Sequence, residues 1–259
     1  MTLVVLGDLM VDVVARVSEP LARGSDTPAR ISMQGGGSAA NVAAWAAHIG
    51  APVSLVCRVG RDTRGRAAID ELKGVDVQVT VDYERPTGTC VVLVDPGGER
   101  TMLPDPGAND APFGEIPLGD HLHVVGYALL RGGARASALA AIARAQAAGM
   151  TVSVDPSSWA LLWPGAIPQV DLLLPNEREA SLVEGEMVVK LGARGARWGD
   201  IEVPAKPVEV VDTTGAGDAF AAGFLSARLR GAGPREALEE GCRVAALAVA
   251  QVGARPQYD

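Results

Sequence analysis

The segment VDTTGAGDAFAAG, residues 211–223, carries the clearest indication of the fold of this chain. Two apolar residues run into a glycine turn, and the turn opens an alanine-rich helix with Asp218 in its first turn. Gly215 and Gly217 permit backbone dihedrals that are closed to residues with a Cβ atom. The amides of Gly215, Ala216 and Gly217 are therefore predicted to converge on one anion, which the helix dipole would also favour.

Asp218 is the candidate general base. A carboxylate at this turn could accept a proton from a substrate hydroxyl while a phosphoryl group passes over the amides. The alternative is that Asp218 only stabilises a helix N-terminus and that the glycines mark an ordinary turn. Asp212, Thr213 and Thr214 in front, and the uninterrupted helix AFAAGFLSARL behind, favour the catalytic interpretation.

A second glycine cluster, GGGSAANVAAWAAHIG, occupies residues 35–50. Gly36 and Gly37 would place backbone without Cβ atoms against a ligand, and Asn41 could both donate to and accept from a polyol. Asp8 and Asp12, on the first strand and its exit, could accept hydrogen bonds from two sugar hydroxyls. The alternative for each aspartate is a loop cap.

The same cluster also matches a dinucleotide fingerprint. Gly35, Gly37 and Ala40 satisfy GxGxxA, and Asp62 lies at a suitable distance to bind a ribose. That fingerprint should directly follow the first strand of the sheet, whereas the first apolar run here is LVVLG, well before the glycines. A dehydrogenase is thus the weaker alternative.

Together the two segments resemble the C-terminal and N-terminal signatures of the ribokinase-like, or phosphofructokinase B-type, carbohydrate kinases. The stretches TGTCVVLVDPGGERT, DPSSWALLWP, LLLPNEREA and VVKLGARGA also resemble blocks of that family. The resemblance implies one α/β domain over residues 1–259, a three-layer α/β/α fold with a mainly parallel central sheet and a small β-strand lid. The lid strands are expected at about 12–34 and 86–104, and in the family they often form a dimer interface.

The resemblance further implies an ATP-dependent kinase that phosphorylates a hydroxymethyl group of a small sugar or sugar derivative. Asp218 would be the base and the amides of residues 215–217 the anion hole. The alternatives are a nucleoside kinase of the same family and a sugar-binding protein that has lost phosphotransfer.

Metal sites are also implied by the resemblance. Asn176 and Glu179, in NEREA, would position Mg²⁺ through water, since Mg²⁺ needs only one or two protein oxygens. A helix-capping pair is the alternative for these two residues. Asp212 and Thr214 resemble the loop that holds a monovalent cation such as K⁺.

For the nucleotide, VVKLGARGA places Lys190 near a phosphate and Gly192 and Gly195 near the ribose, while Gly253 belongs to a small-residue wall around adenine. These roles are implied by the resemblance. No GxxxxGK[ST] motif is present, so a Walker-type kinase is excluded. The chain departs from its relatives just after Glu184, where they insert a further helix.

Composition is consistent with this class. Aromatic residues are only 4% of the 259 residues, so the core must be aliphatic, and the net charge of −8 shows no nucleic-acid footprint. Cys57, Cys90 and Cys242 lack CxxC spacing, which favours free thiols in a reducing, cytoplasmic compartment. The apolar N-terminus is interrupted by aspartates and is interpreted as a strand, with no signal peptide or membrane span expected.

Alternating apolar runs predict strands separated by helices, and hence a parallel sheet. Polar residues at the carboxyl ends of the strands should form the site, and Asp8, Asp155, Asn176 and Lys190 are candidates. His121 and His123 share one face of a strand and are expected to be buried or edge residues rather than metal ligands. Strands are predicted at 3–7, 53–60, 121–126, 151–156, 171–176 and 187–192, and helices at 39–50, 134–148, 176–183, 216–229 and 234–252.

Overall fold

A computed structural model describes residues 1–257 of the chain. It contains thirteen strands in three sheets within that range. The strands are β1 (Leu3–Leu6), β2 (Met10–Val17), β3 (Ala29–Gly36), β4 (Val53–Gly60), β5 (Asp76–Asp82), β6 (Gly88–Val94), β7 (Arg100–Asp105), β8 (His121–Val125), β9 (Thr151–Asp155), β10 (Leu172–Leu173), β11 (Val188–Lys190), β12 (Ala196–Trp198) and β13 (Ile201–Val203).

Seven helices complete the α/β fold in the described range. They are α1 (Ser38–His48), α2 (Thr63–Asp70), α3 (Tyr127–Leu130), α4 (Gly132–Ala147), α5 (Glu177–Ala180), α6 (Ala216–Leu229) and α7 (Pro234–Val249).

The central sheet has the order β10-β9-β8-β1-β4-β5, and every pairing in it is parallel. Parallel bridges join Leu173 to Met187 and Asn176 to Lys190, so the antiparallel strands β11, β12 and β13 continue its edge. Every residue of β1 and β8 is buried, as expected for strands covered on both faces. The predicted parallel sheet is confirmed.

Helices cover both faces of this sheet. One hydrophobic cluster packs α1, α6 and α7 against the sheet and includes Trp45 and Phe224. Another packs α3 and α4 against the sheet and includes Leu129 of α3 and Ile142 of α4. Small residues let α6 approach α7 closely. A Cβ atom on Gly223 would lie 2.7 Å from the Val244 Cγ2 atom, so glycine is required at this crossing.

Helix boundaries agree with the sequence-based expectation at α4, α6 and α7 to within a few residues. The exception is the helix predicted at 176–183, which is only one turn long. The helix ends in a turn at residues 181–182, and the chain then runs without helical structure to Met187, which pairs with the edge of the central sheet ahead of β11.

The lid is a four-stranded sheet with the order β3-β2-β6-β7. Its two β-hairpins are antiparallel as predicted, but β2 and β6 pair in parallel because both strands leave the carboxyl edge of the central sheet. Met10, Val14, Cys90, Val92 and Val94, on its strands β2 and β6, form a small buried hydrophobic cluster.

Across residues 1–257, the helices are all too short or too polar to cross a bilayer.

Candidate active site

A cleft of about 280 Å³ lies between the lid and the carboxyl edge of the central sheet, and we call it the acceptor cleft. It gathers residues from both glycine segments and from the ends of β1, β9, β10 and β11. The predicted site residues that line it are Asp8, Asp12, Gly37, Asn41, Asp155, Asn176, Glu179, Lys190, Thr214, Gly215, Gly217 and Asp218.

Asp218 lines this cleft and is partly exposed. Ser38 Oγ donates to its Oδ1 atom at 2.7 Å, and Asn41 Nδ2 donates to its Oδ2 atom at 2.8 Å. Burial raises the pKa of Asp218 to about 7, although both hydrogen bonds act to lower it. A carboxylate with this pKa changes protonation state near neutral pH, as a general base requires.

The turn before Asp218 has the conformation that its glycines suggest. Gly215 is left-handed, with φ of 74°, and a Cβ atom there would lie 2.8 Å from the carbonyl oxygen of Ala254. Gly215 and Gly217 line the cleft, whereas Ala216 lines a second cavity that adjoins it. The Ala216 amide donates a hydrogen bond to the Thr213 carbonyl at 3.4 Å. The three amides are therefore not equivalent, and their shared role as an anion hole stays a prediction.

Asn41 offers the acceptor cleft a further polar atom. Its Oδ1 atom is buried and has no hydrogen-bond partner within the described chain. Buried polar atoms of native proteins are almost always paired, so this oxygen is available to a ligand hydroxyl.

Asp8 and Asp12 both lie at the cleft and are 3% and 5% exposed. Asp8 Oδ1 accepts from the Ala39 amide at 3.3 Å, which is the capping role weighed as an alternative. Burial raises the pKa of Asp12 to about 6, against the opposing effect of Arg255. Gly36 makes room for Asp12, because a Cβ atom on Gly36 would lie 2.4 Å from the Asp12 carboxyl group.

Arg255 supports this glycine segment and was missed by the sequence-based reasoning. Its Nη2 atom donates to the Gly36 carbonyl at 2.8 Å, and its Nη1 atom donates to Glu71 Oε2 at 3.2 Å. Glu71 Oε2 also accepts from the Gly35 amide at 2.8 Å. A single arginine near the C-terminus carries no local pattern that could have revealed these contacts.

Lys190 forms an ion pair with Asp155 at the back of the cleft. Burial would lower the pKa of Lys190, but Asp155 and Glu179 raise it, so the ammonium is retained. The side chain is 15% exposed. Lys190 lines both the acceptor cleft and the adjoining cavity, and Gly217 also lines both.

Asn176 and Glu179 form a reciprocal capping box at the start of α5. The Asn176 amide donates to Glu179 Oε2, and the Glu179 amide donates to Asn176 Oδ1, both at 2.9 Å. The capping alternative is thus present, and both residues also line the cleft. Burial and the nearby Asp155 carboxylate raise the pKa of Glu179. Because two neighbouring carboxylates repel each other when ionised, Glu179 and Asp155 together favour a cation here.

These oxygens fit Mg²⁺. The described residues contain no cluster of three His, Cys, Asp or Glu side chains that could hold a metal by themselves. Mg²⁺ does not need such a cage, because it retains waters and shares substrate phosphate oxygens.

The adjoining cavity, of about 510 Å³, is lined mainly by small and apolar side chains, and we call it the nucleotide cavity. Lys190, Gly192 and Gly195 all line it, and their contacts with a nucleotide stay a prediction. Gly253 is not among its lining residues, and its amide instead donates to Asp212 Oδ2 at 3.2 Å. Lys206 was not anticipated, since it lies in a loop without a motif.

Asp212 and Thr214 lie side by side, as the cation-loop prediction requires. Asp212 Oδ1 accepts from the Thr214 amide at 2.9 Å and from Thr214 Oγ1 at 2.5 Å. The guanidinium of Arg100, from the lid, also reaches these two residues.

The buried histidines are separate from the site. His121 and His123 both contact Ser153 Oγ, at 2.7 and 2.8 Å, and burial lowers the pKa of each to about 3. They are neutral core residues, as expected.

Comparison with known proteins identifies the class of enzyme to which this fold and site belong. The model of the pfkB family carbohydrate kinases matches residues 1–187 and 183–259. An ATP-dependent ribose-1-phosphate kinase of Halopiger xanaduensis is 36% identical, with 94% of this chain and 90% of the relative covered. A Bacillus subtilis ribokinase is 30% identical over 97% of this chain and 94% of its own length. The structure of Arabidopsis thaliana ribokinase complexed with ribose and ATP superposes with a TM-score of 0.80 at 25% identity, over 97% of this chain and 93% of that one.

The chain belongs to the pfkB family of carbohydrate kinases. It is a phosphotransferase, and the dehydrogenase alternative is wrong. The two matched segments meet at residues 183–187, which is where the sequence was expected to lack the further helix of its relatives.

Proposed function

We propose that this protein transfers the γ-phosphoryl group of ATP to a hydroxymethyl group of a small sugar. The observation that carries the proposal is the meeting of two cavities at Lys190 and Gly217, with the Asp218 carboxylate on the acceptor side. A phosphoryl donor in one cavity and a hydroxyl acceptor in the other would have their reacting atoms at this junction. Holding the reactants together supplies much of the catalysis in phosphoryl transfer.

Each part of the site has a role in this mechanism. Asp218 accepts the proton of the acceptor hydroxyl as the oxygen attacks phosphorus, and the amides of Gly215 and Gly217 donate to the transferring oxygens. Lys190 lies beside the phosphates, and the lid excludes water that would otherwise compete as the acceptor. Asn176 and Glu179 would hold Mg²⁺ through water, and the ion supplies charge neutralisation on the leaving diphosphate when bound.

An acceptor panel tests this function. The purified protein is incubated with ATP and Mg²⁺ and with ribose, fructose, ribose 1-phosphate or adenosine in turn, and ADP formation and the phosphorylated product are measured. We expect one sugar to give ADP and product in equal amounts. Product from adenosine alone would establish the nucleoside-kinase alternative, and sugar binding without ADP formation would establish the binding-protein alternative.

A phosphorylated sugar is a second candidate acceptor, because of Arg131. Arg131 and Lys190 are the two cations that line the acceptor cleft in the described chain, and Lys190 is already paired with Asp155. Arg131 stacks on Tyr127, with its Cζ atom 5.0 Å from the ring centroid, and has no carboxylate partner among residues 1–257. A guanidinium in this state is suited to a phosphate group. The 36%-identical relative named for ribose 1-phosphate supports the same acceptor.

This candidate is tested by changing Arg131 alone. Arg131→Met should lower kcat/KM for ribose 1-phosphate by about tenfold or more, the loss of one hydrogen-bonded charge, and leave ribose within about twofold. Arg144→Met, an exposed arginine near the end of α4, is the control. Equal losses for both acceptors would assign Arg131 a general structural role.

We also propose that the lid forms a homodimer. Its outer face carries exposed apolar side chains in register across the strands, and Met33 and Leu103 are 60% and 59% exposed. Such patches mark protein interfaces when they are contiguous. Met33→Glu should convert a dimer to a monomer in sedimentation velocity, and a wild-type protein that sediments as a monomer would refute the proposal.

A cytoplasmic location is proposed from the cysteines. Cys57, Cys90 and Cys242 are free and buried, which suits a reducing compartment. Fractionation of the source cells followed by immunoblotting would test this.

A further inference from the structure

Arg100, the first residue of β7, reaches from the lid to the loop that precedes α6. Its Nη1 atom donates to Asp212 Oδ1 at 3.0 Å and to Thr214 Oγ1, and its Nη2 atom donates to Thr213 Oγ1. The Arg100 side chain is 28% exposed and that of Asp212 is 10% exposed. One guanidinium therefore contacts three consecutive residues of the loop, largely shielded from solvent.

The Asp212 carboxylate has no remaining oxygen without a partner. Oδ1 accepts from Thr214 and Arg100, and Oδ2 accepts from the Gly253 amide at 3.2 Å. A second lid arginine, Arg16, places Nη2 3.7 Å from Oδ2. The positive charge around this carboxylate thus comes from the chain itself.

The residues present do not fit the monovalent cation that the sequence resemblance implied. A K⁺ ion would have to take oxygens of Asp212 and Thr214 that already accept from Arg100. Two unit positive charges about 4 Å apart repel each other by about 4 kcal/mol at the effective dielectric of a protein surface. The guanidinium and a metal cation therefore exclude each other at this loop.

We propose that Arg100 takes the place of the monovalent cation in this protein, so that phosphotransfer does not depend on K⁺. The guanidinium holds residues 212–214, and these residues in turn set the position of the Gly215 turn at the acceptor cleft. Arg100 does not line that cleft or the nucleotide cavity, so it is a positioning residue. The inference about activity rests on the proposed kinase function.

Arg100 links the position of the lid to that of the Gly215 turn. Because the guanidinium joins β7 to the loop before α6, the turn is held only while the lid is in place. Loss of Arg100 should therefore lower kcat and leave the acceptor KM nearly unchanged.

A thermal-unfolding experiment tests the replacement without measuring activity. Wild type and Arg100→Ala are melted in about 100 mM KCl and in choline chloride of the same ionic strength, because a bound ion raises the Tm of the state it binds. Wild type should show the same Tm in both salts. Arg100→Ala should melt at a higher temperature in KCl, since the freed oxygens can then bind K⁺, and Arg16→Ala/Arg100→Ala should show a larger difference because Arg16 no longer repels the ion. Arg23→Ala, an exposed arginine in the connection between β2 and β3, is the control and should show no difference between the salts.

Kinetics supply the second measurement. Wild-type kcat should change by less than about twofold between the two salts, whereas Arg100→Ala should lose about tenfold or more in choline chloride and recover part of it in KCl. A tenfold stimulation of wild type by KCl would overturn the proposal. So would an Arg100→Ala enzyme with wild-type kcat and no K⁺-dependent Tm. If no acceptor is phosphorylated by any variant, the proposed kinase function fails, and the melting experiment still decides the role of Arg100.

Discussion

The acceptor cleft and the nucleotide cavity differ in how they are built. The acceptor cleft is polar and draws residues from many separate parts of the chain, from Asp8 to Asp218. The nucleotide cavity is lined mainly by small apolar side chains from two stretches, within residues 190–220 and 242–249. A site that pairs buried polar groups discriminates strongly between ligands, because a wrong ligand leaves those groups unpaired, whereas an apolar cavity discriminates weakly. Specificity should therefore reside in the acceptor cleft.

The largest expected effect comes from removing the proposed base, Asp218, at the junction of the two cavities. Asp218→Asn should lower kcat by about 10²- to 10⁴-fold, the contribution of a general base, while the acceptor still binds. Stopped-assay kinetics give kcat, and calorimetry gives acceptor affinity. Asp70→Asn, at the end of α2, is the control and should behave as wild type. Near-normal turnover of the Asp218 variant would remove it from the role of base.

Two substitutions, one in each cavity, should change the KM of one substrate each. Asp12→Asn removes a buried carboxylate from the acceptor cleft and should raise the acceptor KM by about 10- to 100-fold, the loss of a hydrogen bond to a charged group. Ala245→Leu fills part of the nucleotide cavity and should raise only the KM for ATP. Initial-rate matrices in both substrates measure the two constants. If either variant changed both constants equally, the cavities would not be separate sites.

The pH dependence of kcat/KM should report the ionisation of the Asp218 carboxyl group. Only the unprotonated carboxylate can accept a proton, so kcat/KM should fall about tenfold per pH unit below a pKa of about 7. Asp155 raises this pKa, and Lys190 and the hydrogen bond from Ser38 lower it. Ser38→Ala should therefore move the falling limb to higher pH. A limb near pH 4 in wild type, or no shift in the variant, would contradict the assignment.

The smallest expected effect concerns the scaffold beneath the acceptor cleft. Folding lowers the pKa of His121 and His123 from about 6.5 to about 3, so the unfolded chain binds more protons between these values. Stability is complete above pH 6.5 and should fall by up to about 1.4 kcal/mol per pH unit for each histidine below it. Urea unfolding at pH 6.5 and at pH 5 measures the slope. His123→Gln should halve this part of the slope, and an unchanged slope would show that the histidines are not its source.

Part of the lining of the nucleotide cavity could be predicted from the sequence, because those residues are close together in the chain. Lys190, Gly192 and Gly195 lie within six residues of one another, and the structure places them along one cavity. The acceptor side was only partly predictable. Tyr127 and Arg131 follow β8 without any motif, and the sheet order alone brings them to the cleft.

The limit of prediction from the sequence is clearest at the loop that contains Asp212 and Thr214. The pattern at Asp212 and Thr214 predicts an ion, and nothing in that segment indicates that Arg100, more than a hundred residues earlier, supplies the charge instead. The helix predicted at 176–183 also ends early, and the chain then runs to Met187, which pairs with the edge of the central sheet.

The sequence by itself determined the α/β class, the glycine turn and the family, because these depend on local backbone freedom and on short apolar periods. The tertiary structure alone decided which distant charges meet: Arg255 with Gly36, Ser38 and Asn41 with Asp218, and Arg100 with Asp212. Such contacts join segments up to 219 residues apart. Their partners are set by how the sheet, helices and lid pack, and no short stretch of sequence contains that information.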